Sequence, residues 1–205
     1  DALILFLSDH GDYVGDYGLV EKWPTGFQDD LLRAPLIVKY PANAHAGQRV
    51  DGFTQSLDLF PTVLEQAGIQ TPYTHFGQSL TSLLEDGAGR EAVYAVGGYD
   101  PREPQAFEAG IQSADEPLMG HYFEKLKLQQ DSPTTVARAA MIRTREWKLI
   151  IRSAGKEELY DLKNDPQELY NLINNPALKE IRNDLRERLL HWYLRASDNP
   201  HWEHE

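Results

Sequence analysis

Six consecutive apolar residues, Ala2-Leu3-Ile4-Leu5-Phe6-Leu7, run straight into Ser8-Asp9-His10-Gly11. A continuous apolar run of this length, bounded by polar and glycine-rich sequence, suits a strand covered on both faces, and it predicts a central strand of a parallel sheet. Open α/β sheets place ligands beyond the carboxyl ends of their strands, so Asp9 and His10 emerge where a site is expected. A carboxylate and an imidazole there can share a cation, but two neighbouring ligands do not close a coordination sphere. Equally, Asp9 can cap the loop through backbone N–H groups while His10 is a satisfied buried histidine.

The segments that follow extend the α/β pattern. A loop punctuated by Gly11, Gly15, Gly18, Pro24 and Gly26 leads through Gln28-Asp29-Asp30-Leu31-Leu32-Arg33 to Pro35-Leu36-Ile37-Val38-Lys39-Tyr40, a second predicted strand. Asp58 is placed to cap a helix over Leu59 to Ala67, with Pro61 tolerated in its first turn and Gly68 ending it in the left-handed conformation. Gly77 to Leu84 reads as a short amphipathic piece and Glu91 to Gly97 as another strand. Residues 98–138 are irregular and too long for a simple connector, with a short helix expected near His121 to Leu126. Ala140 to Thr144, Trp147 to Arg152 and Glu158 to Asp161, separated by turn-sized gaps, predict an antiparallel meander. Asn175 and Pro176 then open a helix whose Leu178, Ile181, Leu185, Leu189 and Trp192 recur every three or four positions, a face suited to lie on the meander.

Composition narrows the function classes. A formal net charge of −12 repels phosphate backbones and anionic lipid, and the basic residues are scattered, so neither nucleic acid nor a membrane is expected as a partner. No apolar run approaches the roughly 20 residues of a spanning helix. With no cysteine there is neither a disulfide framework nor a thiolate zinc site, and the compartment is left open. The start at Asp1, directly into a buried-type strand, predicts that these 205 residues are an interior part of a longer protein.

The ordered motifs carry more than any one of them alone. Leu5-Phe6-Leu7-Ser8-Asp9-His10-Gly11-Asp12-Tyr13-Val14-Gly15-Asp16-Tyr17-Gly18-Leu19, then Lys22, then Leu32-Arg33-Ala34-Pro35-Leu36-Ile37-Val38, closely resembles the second half of the sulfatase family in the alkaline phosphatase superfamily. The resemblance continues through Asp58-Leu59-Phe60-Pro61-Thr62-Val63-Leu64 and Gly77-Gln78-Ser79-Leu80. It ends with Met141-Ile142-Arg143-Thr144, Trp147-Lys148-Leu149-Ile150, Glu158-Leu159-Tyr160-Asp161-Leu162 and Asn164-Asp165-Pro166. Only residues 98–135 lack a counterpart. Tyr17 stands where many relatives have histidine, and Gln28-Asp29-Asp30 where they often have tyrosine and two glutamates.

The resemblance implies an α/β fold: part of an alkaline-phosphatase-like sheet sandwich over 1–97 and a small antiparallel subdomain with a terminal helix over 139–205; the unmatched excursion between them, 98–138, follows a strand and suits a loop on the substrate side. It implies hydrolysis of a sulfate ester, of a small molecule or a carbohydrate, by a formylglycine nucleophile beside a divalent metal, most often calcium. Asp9 and His10 match two metal ligands, and Lys22 matches the lysine that contacts the sulfate. Gly11 and Gly15 are either loop glycines that let the chain approach the cation or ordinary turn glycines. Arg102, in the unmatched excursion, suits an anionic sugar group, since its fork fits carboxylate or sulfate; a solvated acidic loop held by local ion pairs is the plainer reading. The family's Cys/Ser-x-Pro-x-Arg nucleophile motif lies upstream of the matched region, and Ser132-Pro133 does not supply it. The chain is therefore expected to need the amino-terminal part of the same enzyme and to be inactive alone. His45, His75, His121, His191, His201 and His204 have no spacing that suggests a metal set. Two other classes stay open: a phosphonate or phosphate diester hydrolase of the same superfamily, and an interaction domain without chemistry.

Overall fold

The structure is a computed structural model and describes residues 1–70, 75–87, 89–103 and 120–197. In chain order its elements are β1 (Ile4–Leu7), β2 (Tyr13–Val14), β3 (Val20–Glu21), α1 (Asp29–Leu32), β4 (Leu36–Lys39), α2 (Leu59–Ala67) and α3 (Leu80–Asp86). There follow β5 (Ala92–Gly97), α4 (Gly120–Asp131), β6 (Ala139–Thr144), β7 (Trp147–Arg152), β8 (Glu158–Asp161) and α5 (Lys179–Ala196). The chain divides into two compact units. One comprises Asp1–Asp9, Pro35–Val93 and the end of the chain from Glu187; the other comprises His10–Ala34 and Tyr94–Arg186.

In the first unit β1 pairs with β4, Ile4 opposite Lys39 and Leu7 opposite Leu36. The pairing is antiparallel, which corrects the parallel neighbour expected from the apolar run. Composition marks a segment as strand, but the direction of its neighbour depends on the return path of the chain, here 28 residues long, which the run does not encode. Ile4, Phe6, Leu7 and Ile37 are exposed. Helix α2 stops as expected, Gly68 taking φ 69°, a conformation that costs glycine no Cβ clash. Its start is different. Asp58 does not cap α2 through its side chain; its carboxylate accepts from the backbone N–H of Gln55 and of Gln78, both at 2.8 Å, and pairs with Arg90. Thr62, fully buried one turn later, accepts from Leu80 N–H at 2.9 Å. These bonds tie α2 to the Ser79-capped start of α3.

The second unit is built on a sheet of order β5-β6-β7-β8, with β6–β7 and β7–β8 antiparallel as the turn-sized gaps predict. Phe27 from the glycine loop packs with Ala139, Met141, Ile150, Tyr160 and Leu162 to form its core. Asn175 caps the turn before α5 by accepting from Ala177 N–H at 3.0 Å. Arg182 of α5 donates to the Ile173 carbonyl and Arg186 pairs with Glu157, so the first half of that helix is tied to this unit. Helix α4 occupies the end of the stretch read as irregular; its Lys125, Leu126 and Gln129 are buried. Among the described residues no helix is long and apolar enough to cross a membrane.

Candidate active site

The loop after β1 belongs, from His10 onward, to the same compact unit as the meander. Its path is set by close backbone contact. Gly11 N–H donates to the Leu31 carbonyl at 2.8 Å, and a Cβ on Gly11 would lie 1.8 Å from the Asp30 carbonyl oxygen. No side chain fits there, so the backbone approach itself requires glycine at this position. Gly15 is a different case, an open turn with φ 118°.

A buried ionic cluster fixes the far end of the loop. Lys148, on β7 and fully buried, donates to the Phe27 carbonyl at 2.9 Å, to Asp29 Oδ1 at 2.7 Å and to Glu168 Oε1 at 2.6 Å. Arg143 grips Asp29 through two bonds of 3.0 and 2.9 Å, and Asp29 N–H donates to Glu168. Burial alone pushes the Asp29 carboxyl up, but Arg143 and Lys148 outweigh it and bring it down to about 2. Glu168 goes the other way: burial raises it more than Lys148 lowers it. Nearby, Tyr17 donates to Asp30 at 3.0 Å and lies 2.9 Å from the Gln167 carbonyl, linking the loop to the Pro166–Leu169 turn across a cleft of about 540 Å³. Tyr13 is buried and donates to Gln28. The two departures from the family pattern, Tyr17 and Gln28-Asp29-Asp30, are thus the residues that hold the loop.

Each expected site residue has a definite setting. Asp9 is exposed at the end of the first unit's opening segment. His10 is half-buried, its Nδ1 2.5 Å from the Gly11 carbonyl. A carbonyl only accepts, so a hydrogen bond here is donated by Nδ1–H, and an imidazole is a common ligand of divalent metals. The donor types therefore fit a divalent cation. Their number does not complete a site, and among the described residues no group of three or more His, Asp or Glu side chains could hold a metal. Lys22 is exposed directly after β3. Arg102 is 89% exposed and grips Asp100 through Nε and Nη2, which holds the Asp100 carboxyl well below its usual range. His201 and His204, like residues 104–119 of the 98–138 excursion, lie outside the described residues.

Residues 15–100 and 112–194 match the family model described as N-sulphoglucosamine sulphohydrolase, C-terminal. The chain belongs to the sulfatase family of the alkaline phosphatase superfamily. It is 32% identical over 97% of its length to the multifunctional alkaline phosphatase superfamily protein PehA of Trinickia caryophylli. It is 26% identical over 97% to an N-acetylglucosamine-6-O-sulfatase of Bacteroides thetaiotaomicron. Its fold matches the phosphonate monoester hydrolase of Agrobacterium radiobacter with a TM-score of 0.72 at 28% identity, over 98% of this chain and 36% of that one. The chain spans 35% and 31% of the two curated relatives. The sulfatase α/β architecture, with its small antiparallel sheet and terminal helix, is as the motifs implied.

The ionic cluster escaped the sequence reading. Its signal was a lysine next to an apolar run inside a strand, Trp147-Lys148-Leu149-Ile150-Ile151, where a charge is tolerated only if paired.

Proposed function

We propose that this chain is the carboxyl-terminal part of a hydrolase of sulfate esters, those of carbohydrates included, with Asp9 and His10 as two cation ligands and Lys22 as a contact to the ester's oxyanion. The observation that supports it best is His10 on a loop whose close backbone approach is fixed at Gly11, with Lys22 following on the same unit. A divalent cation, most often calcium in this family, would polarise an ester oxygen. Asp9 contributes the negative charge that attracts such an ion. The Lys22 ammonium, a compact charge on a flexible stem, suits an oxyanion whose charge shifts during reaction. Arg102 is assigned to an anionic group of a carbohydrate substrate: Asp100 occupies its Nε and Nη2 edge, and the side chain is otherwise open to solvent. The formylglycine nucleophile and the remaining ligands belong to the other two-thirds of the length found in the relatives. That part also covers the exposed apolar side chains Ile4, Phe6 and Ile37 of the β1–β4 pair.

Hydrolysis of phosphonate or phosphate esters is the second reading, favoured by the phosphonate monoester hydrolase at TM-score 0.72 and by PehA at 32% identity. Both readings place a tetrahedral oxyanion against Lys22. They separate by assay of the full-length enzyme on an aryl sulfate and on an aryl phosphonate monoester. The sulfatase reading expects the larger kcat/KM on the sulfate, and a Lys22→Met variant about 10² to 10³ slower. A preference for the phosphonate selects the second reading, and a Lys22→Met enzyme with unchanged kcat removes Lys22 from both. Residues 1–205 alone are expected to turn over neither ester.

A further inference from the structure

Lys125 lies in the stretch that has no counterpart in the family pattern, and its side chain is only 2% exposed. An ammonium at that depth is costly unless it meets compensating charge. Two of the groups it meets come from the loop. Its Nζ is 3.3 Å from Glu21 Oε2 and 5.9 Å from the centre of the Trp23 ring. The residue between those two partners is Lys22.

The backbone at Glu21 adds an independent observation. Glu21 takes φ 62°, the left-handed region that a residue with a Cβ enters at a cost of about 1–2 kcal/mol. Strain of this kind persists where surrounding contacts over-determine it. Here the contacts are named. Glu21 ends the short β2–β3 ladder opposite Tyr13, its carboxylate pairs with Lys125, and Trp23 Nε1–H donates to the Val20 carbonyl at 3.2 Å. A left-handed residue turns the chain immediately before Lys22. The direction in which Lys22 leaves the backbone therefore depends on Glu21 being held, and α4 holds it.

We propose that Lys125 of α4 is a positioning residue for Lys22, clamping Glu21 and Trp23 on either side of it. The clamp rests on the assignment of Lys22 to the oxyanion. The excursion that contains α4 then has a function in catalysis without touching substrate: it fixes the place of one ammonium. Lys125 acts only through Lys22, so its loss misplaces a charge and leaves substrate binding by the rest of the site intact.

The test uses the full-length enzyme and two readouts, hydrogen–deuterium exchange of residues 19–26 and steady-state kinetics. Lys125→Met is expected to speed exchange in that segment at least about tenfold and to lower kcat by about 10- to 100-fold with KM changed little, because small misplacements of reacting groups cost up to that much. Lys125→Arg should restore most of both, since an arginine keeps the charge for Glu21 and for the Trp23 face. If Lys125→Met fails to fold, Glu21→Met removes the acceptor from the more exposed side and must give the same pair of changes. Unchanged exchange overturns the clamp. Faster exchange with kcat within twofold of wild type overturns the positioning role. A Lys22→Met control with wild-type kcat sinks the oxyanion assignment instead, and exchange then decides the clamp alone.

Discussion

In the unit that carries the meander, Met141, Ile142, Leu149, Ile150 and Leu159 are all inside, whereas in the other unit Phe6 of β1 is 62% exposed and Ile37 of β4 63%. The contrast runs against composition. Strand β1 is wholly apolar and β7 carries Lys148 and Arg152, yet β7 is the better buried strand. Apolar composition states that a surface is to be covered; it does not say that these 205 residues supply the cover. The second unit closes its own core with Phe27 and pairs its buried charges internally. The first closes around the Asp58–Arg90 pair and Thr62 but leaves its strand pair open.

The largest expected effect falls on the buried charges of the second unit. Lys148→Met leaves Asp29 paired with Arg143 and strips Glu168 of its ammonium partner, and removing one partner of a buried pair costs about 3–5 kcal/mol near pH 7. The pH dependence separates this from a packing defect. In the wild type, the depressed Asp29 contributes stability that is present above its unfolded value of 3.8 and lost as pH falls toward about 2. Glu168 has the opposite sign. Its raised pKa favours the folded state below 4.5, and that contribution is lost as pH rises through the folded value. Without Lys148 both carboxyls shift up, so protonation relieves the variant. Denaturant titrations should show a smaller loss at pH 5 than at pH 7.5. An equal loss at both would mean that Lys148 acts through packing, and the ionic account would be wrong.

Next in size is a matched pair of truncations. Ile150→Ala empties a fully buried position in the meander and should cost about 2–5 kcal/mol. Phe6→Ala removes a larger side chain from an exposed strand and, in residues 1–205 taken alone, should cost well under 1 kcal/mol. In the full-length enzyme the same Phe6→Ala change should cost about 3–5 kcal/mol, the figure for a buried phenylalanine, if the rest of the protein covers β1. Equal, small losses in both settings would show that β1 stays exposed.

How much of this was legible follows the same division. Elements set by local rules were readable: Gly68 closing α2, Asn175 capping the turn before α5, and three short strands with turn-sized gaps. The direction of the β1–β4 pairing was not, because it depends on a long return path. Nor were the partners of Lys148, which come from positions about 20 and 119 residues away in the chain. Asp9, His10 and Lys22 are proposed only through their order along a family-like sequence, since a lone Asp-His pair or an exposed lysine has no distinguishing pattern. Lys125 had none at all: it sits one residue after Glu124 in a charged stretch and reads as solvated surface until the helix is folded.

The smallest expected effect is a gain. Gln129, one turn beyond Lys125 on α4, is 1% exposed, and neither amide atom has a hydrogen-bond partner among the described residues. A buried amide without partners costs about 1–3 kcal/mol, and that cost disappears with an apolar side chain of similar length. Gln129→Met should therefore raise stability by roughly 0.5–1 kcal/mol while leaving exchange of residues 19–26 unchanged, because the clamp on Glu21 uses Lys125 and not its neighbour. A loss of more than about 1 kcal/mol would mean that Gln129 has polar partners, a buried water being the simplest, and that the polar face of α4 extends one turn beyond the lysine.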